Sequence, residues 1–293
     1  MPGRLLIRTN RIFDILEDRW ERLSTQKNVA TALVTVFVLG LALVEFRRQG
    51  WLPAAFEDQI PTNHFVAILF PFTLLLLTEV VSLVFALVQS IAIAVGKQLE
   101  IMSLILIRQS FKELTYFDEP IVWGEMSSEI TTRVLYIISD ALGALIIFGL
   151  LALYTRLQSH RPITADPDEQ SSFISAKKLI AVILLISLVI ICVEVMWAWS
   201  QGNLTHSFFE VFYTLLIFAD VLVVLISLRY SNAYAVVFRY FGFAVATVLI
   251  RLALTAPRVV DAALGVTATL FAIALTWIYN LVESRESESP QHG

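Results

Sequence analysis

From about residue 28 onward the chain alternates long apolar runs with short polar segments, and the runs are close to the twenty or so residues that a spanning helix requires. The stretches 28–46, 64–92, 131–155, 178–199, 206–230, 232–252 and 258–282 each predict a membrane helix. The stretch 94–112 is ambiguous, because Lys97, Gln98 and Glu100 crowd its start. Hydropathy alone therefore predicts seven spans, with 94–112 lying at the interface.

Internal comparison changes that reading. Residues 72–95 align with residues 213–236 without a gap, at a constant offset of 141. Thr73/Thr214, Leu74/Leu215, Leu75/Leu216, Val80/Val221 and Leu87/Leu228 match, as do Ser90/Ser231, Ala92/Ala233, Ala94/Ala235 and Val95/Val236. Serine and threonine agreeing in register exceeds what apolar composition produces by chance. Weaker matches flank this core in the same order: "LVE" at 43–45 with "CVE" at 192–194, and "LIR" at 106–108 with 249–251. The predicted fold is all-α, a polytopic membrane helix bundle of eight spans in two four-helix repeats, 28–155 and 178–282. On this reading 94–112 is a span, equivalent to 232–252. Four spans per unit make the repeats parallel, related by an axis along the membrane normal. A polar linker, 156–177, joins them, and 283–293 reads as an acidic disordered tail.

Residues 1–27 precede the first run. They alternate charges with apolar residues and so lack the continuous apolar core of a signal peptide. Leu5, Ile12, Leu16, Trp20 and Leu23 fall on one helical face, with Arg4, Arg8, Arg11, Arg19 and Arg22 filling much of the rest. This pattern predicts an amphipathic interfacial helix; a helix docked on protein fits it as well. The basic residues favour cytoplasmic N- and C-termini, as in a plasma or bacterial inner membrane. Composition agrees, with 57% hydrophobic and 16% charged residues, which excludes an ordinary water-soluble domain. The one cysteine, Cys192, sits in an apolar run and forms no disulfide framework.

Ionisable residues inside the runs carry the candidate chemistry, because a charge at membrane depth is costly. Glu79 and Asp220 face each other across the alignment, both near mid-span. Asp140 lies at similar depth in 131–155; its counterpart position is Gly265, with Asp261 one turn away. Arg239 is the strong cation deepest in a run, and Lys97 corresponds to it within one or two residues. Glu45 and Glu194 match each other nearer the ends. His64 and His206 open equivalent helices and read as interfacial residues rather than haem or metal ligands.

Two function classes follow. One is a proton- or cation-coupled transporter or channel with the midplane carboxylates Glu79 and Asp220 at a pseudo-two-fold site, Arg239 as counter-charge and Asp140 as a further titrating group, and with protons or small cations as partners besides the bilayer. The other is a non-transporting scaffold or sensor acting through a membrane or cytosolic protein partner. No nucleophile–base pair, metal spacing or phosphate loop appears, so the sequence implies no enzyme, no cofactor and no nucleic-acid role.

Overall fold

The computed structural model describes residues 2–51, 60–117, 119, 128–158, 167–200, 208–230 and 234–288. Among these residues the chain is all-helical. The α-helices are α1 (Pro2–Glu21), α2 (Leu23–Arg48), α3 (Leu69–Gln89), α4 (Ile91–Glu113), α5 (Ser128–Leu157), α6 (Pro167–Ser200), α7 (Phe208–Tyr230), α8 (Tyr234–Thr255) and α9 (Val260–Glu288). A short 3-10 turn, His64–Ile68, leads into α3, and another, Leu114–Tyr116, follows α4.

Among the described residues six helical segments are long and apolar enough to cross a membrane: Leu23–Arg48, His64–Gln89, Ser128–Leu157, Glu169–Ala198, Val237–Thr255 and Val260–Val282. This makes the chain a multi-pass membrane protein in class. The expected count of eight is not confirmed: α4 and α7, each 23 residues long, are not among these six. The reason for α4 is its charge: Lys97, Glu100, Arg108, Lys112 and Glu113 lie within it.

Helix boundaries differ from the sequence expectations in ways local chemistry explains. The break between α1 and α2 falls at Arg22, whose extended ψ of 134° interrupts the helical run. Helix α6 starts at Pro167, inside the stretch read as linker. Proline suits the first helical position, and Glu169 favours the positive end of the helix dipole. Helix α9 continues to Glu288, into the stretch read as tail. Linker residues 159–166 and tail residues 289–293 lie outside the described residues.

Two apolar cores organise the bundle. One gathers Phe13 of α1, Leu83 and Phe85 of α3, Ala181 and Leu184 of α6, and Phe212 and Leu216 of α7. The other gathers Leu99 and Met102 of α4, Ile147 and Tyr154 of α5, Phe243 and Ile250 of α8, and Ala268 and Ala272 of α9. Helix α4 contributes to both, through Ile101 and Ile105 on one side and Leu99, Met102 and Leu106 on the other. It packs against α3, α5, α8 and α9. A helix surrounded by protein can carry polar side chains that a lipid-facing one cannot, which is why its hydropathy is low. By contrast α6 turns Ile183, Ile186, Val189, Val193 and Met196 outward, as lipid contact allows.

Close helix crossings depend on small residues. A Cβ on Gly143 of α5 would come 2.7 Å from the Cβ of Ala262 in α9, and one on Gly265 would come 2.8 Å from Ile147 Cδ1. Helix α1 lies on α3 and α6 through Phe13, fully buried and edge-on to Phe85 at 5.5 Å, and through Trp20, whose Nε1 donates to Ser82 Oγ at 2.9 Å. Lys178 of α6 pairs with Asp14 at 2.5 Å. Ile12 and Leu16 remain outward, so the face meeting protein is the Phe13–Trp20 stripe.

Candidate functional site

The polar residues inside the bundle divide into three groups, arranged around α4. The first is Glu79. Ten residues from the end of α3, it lies about 15 Å along the helix from Gln89. Its Oε2 is 2.5 Å from Lys97 Nζ, and Lys97 also meets Glu100 Oε2 at 3.0 Å, one turn along α4. Glu79 and Lys97 are each about four-fifths buried, whereas Glu100 is more open. They border a cavity of about 330 Å³ between α2, α3 and the end of α1, whose polar wall includes Thr25, Gln26, Thr78 and Ser82 and whose apolar wall includes Leu33 and Leu75. Trp20 forms part of the same wall.

Asp220 of α7 is the second. It is buried, and faces the Gln98 side chain of α4 and the guanidinium of Arg251 of α8. Gln98 and Arg251 are themselves buried. Lys97 and Gln98 are neighbours in sequence, so the helical rotation of about 100° per residue turns one toward Glu79 and the other toward Asp220. The two aligned acids therefore sit on different sides of α4, with the cavity bordering Glu79.

The third group lies at the Glu113 end of α4. Arg258, in the turn between α8 and α9, reaches Asp140 Oδ2 at 2.6 Å, Gln109 Oε1 at 3.0 Å and Glu113 Oε1 at 3.0 Å. Glu113 Oε2 pairs with Arg133 at 3.0 Å, and Arg133 lies over the Tyr116 ring at 3.8 Å. Asp140 is fully buried, and Asp261 stands within electrostatic reach of it. Val259, next to Arg258, has φ of 73°, a conformation rare for a β-branched residue. Such strain costs about 1–3 kcal/mol and persists where surrounding contacts hold it; the threefold grip of Arg258 is such a contact.

Arg239 lies apart from these groups in its ring contacts, with its guanidinium 4.7 Å from the Tyr279 centroid and 5.8 Å from that of Phe243. The cations facing Glu79, Asp220 and Asp140 are Lys97, Arg251 and Arg258. The sequence places Lys97 as a counterpart of Arg239 and does not show Gln98, Arg251 and Arg258 as partners of the acids; the i, i+3 spacing of Lys97 and Glu100 is the one available signal.

At the mouth of α3, His64 Nε2 is 3.2 Å from Glu45 and Nδ1 is 3.0 Å from Glu119, with Arg48 Nη1 3.1 Å from the same Nδ1. Burial alone raises the pKa of Glu119, but the His64 hydrogen bonds and the nearby Arg48 charge outweigh it and hold the carboxyl below its ordinary value. His206 lies outside the described residues. Among the described residues no group of three or more His, Cys, Asp or Glu side chains is placed to hold a metal ion.

Comparison with protein-family models, with curated proteins and with solved structures finds no match for this chain.

Proposed function

We propose that this chain is a proton- or cation-coupled transporter or channel in which Glu79 is the exchanging group. The observation that carries the reading is a carboxylate inside a membrane-length helix that borders a cavity and shares its cation with a second carboxylate. Lys97 can shift toward Glu100 when Glu79 takes a proton or a cation, so Lys97 keeps a carboxylate partner throughout the exchange. Asp220, held with Gln98 and Arg251, is the buried counterpart, and Asp140 with Arg258 closes the Glu113 end.

The same proposal takes α4 and α7 as spans, giving eight in two parallel repeats with both termini cytoplasmic. Packing supports it: α4 lies against α5 as α8 lies against α9, while α4 meets α8 and α5 meets α9 across the two units. The test is flux of protons and alkali cations in proteoliposomes. Wild-type protein carries flux that Glu79→Gln and Asp220→Asn abolish; unchanged flux in a folded double variant overturns the reading, and absence of any wild-type flux favours a scaffold.

A further inference from the structure

We infer that the cavity beside Glu79 binds a small organic primary ammonium, and that the Lys97 ammonium marks where the ligand's own ammonium sits. This deepens the transport reading by naming the substrate class of the same site, and it rests on that reading.

The first argument is the geometry of the cation already there. Lys97 Nζ is gripped by two carboxylate oxygens from adjacent helices, Glu79 at 2.5 Å and Glu100 at 3.0 Å. Only one of them is needed to compensate it. A ligand ammonium arriving through the cavity can take Glu79 while Lys97 stays with Glu100. The exchange adds one positive charge from the ligand and leaves no carboxylate without a cation, which a low-dielectric site requires.

The second argument is the cavity itself. Its volume, about 330 Å³, falls at the lower end of small-molecule sites. A bare alkali ion needs no such space. The wall is mixed in the way an amine with an apolar body requires: Glu79 at the charged end, Leu33 and Leu75 along the side, and the Trp20 indole as an aromatic surface. The hydrogen bond from Trp20 Nε1 to Ser82 Oγ fixes the indole, and Ser82 lies one turn from Glu79 on α3. An aromatic ring held beside a carboxylate is a pairing that attracts organic cations. The hydroxyl of Thr78 donates to Leu75 O and that of Ser82 to Thr78 O, so their oxygens can still accept from a ligand N–H.

The experiment is isothermal titration of the full-length protein in lipid nanodiscs with phenethylammonium chloride, beside its neutral isostere 2-phenylethanol. Phenethylammonium binds wild-type protein saturably, and the alcohol binds about tenfold more weakly or not at all, because a charge-assisted contact is missing. Glu79→Gln lowers ammonium affinity about tenfold and leaves the alcohol unaffected. The isostere comparison needs no variant, so it decides even where the variant fails to fold. Equal binding of the two compounds overturns the inference, as does equal ammonium affinity in wild-type and folded Glu79→Gln protein. Binding of sodium or potassium without phenethylammonium overturns it too, while Glu79-dependent flux of those ions leaves the transport reading standing. Saturable, Glu79-dependent ammonium binding without flux supports the inference and removes the transport reading.

Discussion

Lys97 of α4 and Glu79 of α3 form an ion pair of 2.5 Å between two packed helices, in a part of the bundle where neither is freely solvated. Breaking one partner of such a pair leaves the other charge uncompensated, which costs about 3–5 kcal/mol in buried sites. Glu100 offers Lys97 a second carboxylate, whereas Lys97 is the cation paired with Glu79. Lys97→Met is therefore expected to destabilise by about 3 kcal/mol and Glu79→Gln by less. The double variant recovers most of the loss. Denaturant unfolding in detergent, read as a double-mutant cycle, measures the coupling.

The Arg258 network gives a second asymmetry. Arg258 holds Asp140, Gln109 and Glu113 together, and Asp140 is fully buried. Arg258→Gln is expected to cost about 3 kcal/mol. Arg133→Gln costs less, because Glu113 keeps Arg258 as a partner. Pairing Arg258→Gln with Asp140→Asn restores part of the stability. Thermal unfolding of the four proteins checks the order, and an Arg133 variant weaker than the Arg258 variant contradicts it.

Helix crossing supplies a third. A valine at Gly143 meets Ala262 and one at Gly265 meets Ile147, both inside contact distance. Gly143→Val is expected to cost about 1–3 kcal/mol through overpacking, and Gly265→Val less, because the Ile147 Cδ1 and Met102 Cε ends can shift whereas Ala262 has no flexible end. Gly149 is the control, since a Cβ there has nothing within 4 Å. Gly149→Val should change stability by only about 0.5 kcal/mol. Unfolding curves that fail to separate Gly149 from Gly143 refute the close crossing of α5 and α9.

Acid sensitivity follows from Glu119, whose carboxyl is held below the ordinary value of 4.5. A lowered folded-state pKa adds stability that is present above the unfolded value and is lost as pH falls through the folded one. Wild-type protein should thus lose an increment of stability below pH 4.5 that Glu119→Gln does not lose. Stability measured from pH 6 down to about pH 3 shows this as a flatter curve for the variant.

Much of the fold is legible in the sequence because a bilayer imposes one length on every apolar run. Leu23–Arg48, Ser128–Leu157 and Val260–Val282 follow directly from that rule. Helix α4 does not, since its apolar residues serve two protein cores and its charges face neighbouring helices. The acids at depth are also legible, as Glu79, Asp140 and Asp220 stand out against their runs. Their partners are not: Asp140 and Arg258 are 118 residues apart, and only helix rotation in the packed bundle brings them together. The same limit applies to α1: the stripe through Ile12, Leu16 and Trp20 is visible, but Ile12 and Leu16 stay outward and Phe13, outside that stripe, is the residue packed on Phe85.

The role proposed for Glu79 is to carry the exchange of charge across the membrane. Currents from proteoliposomes adsorbed on a solid-supported membrane, evoked by a step in proton or cation concentration, test it most directly. Wild-type protein is predicted to give a transient or sustained current, and Glu79→Gln of equal folded content none. A current of the same size in both contradicts the account.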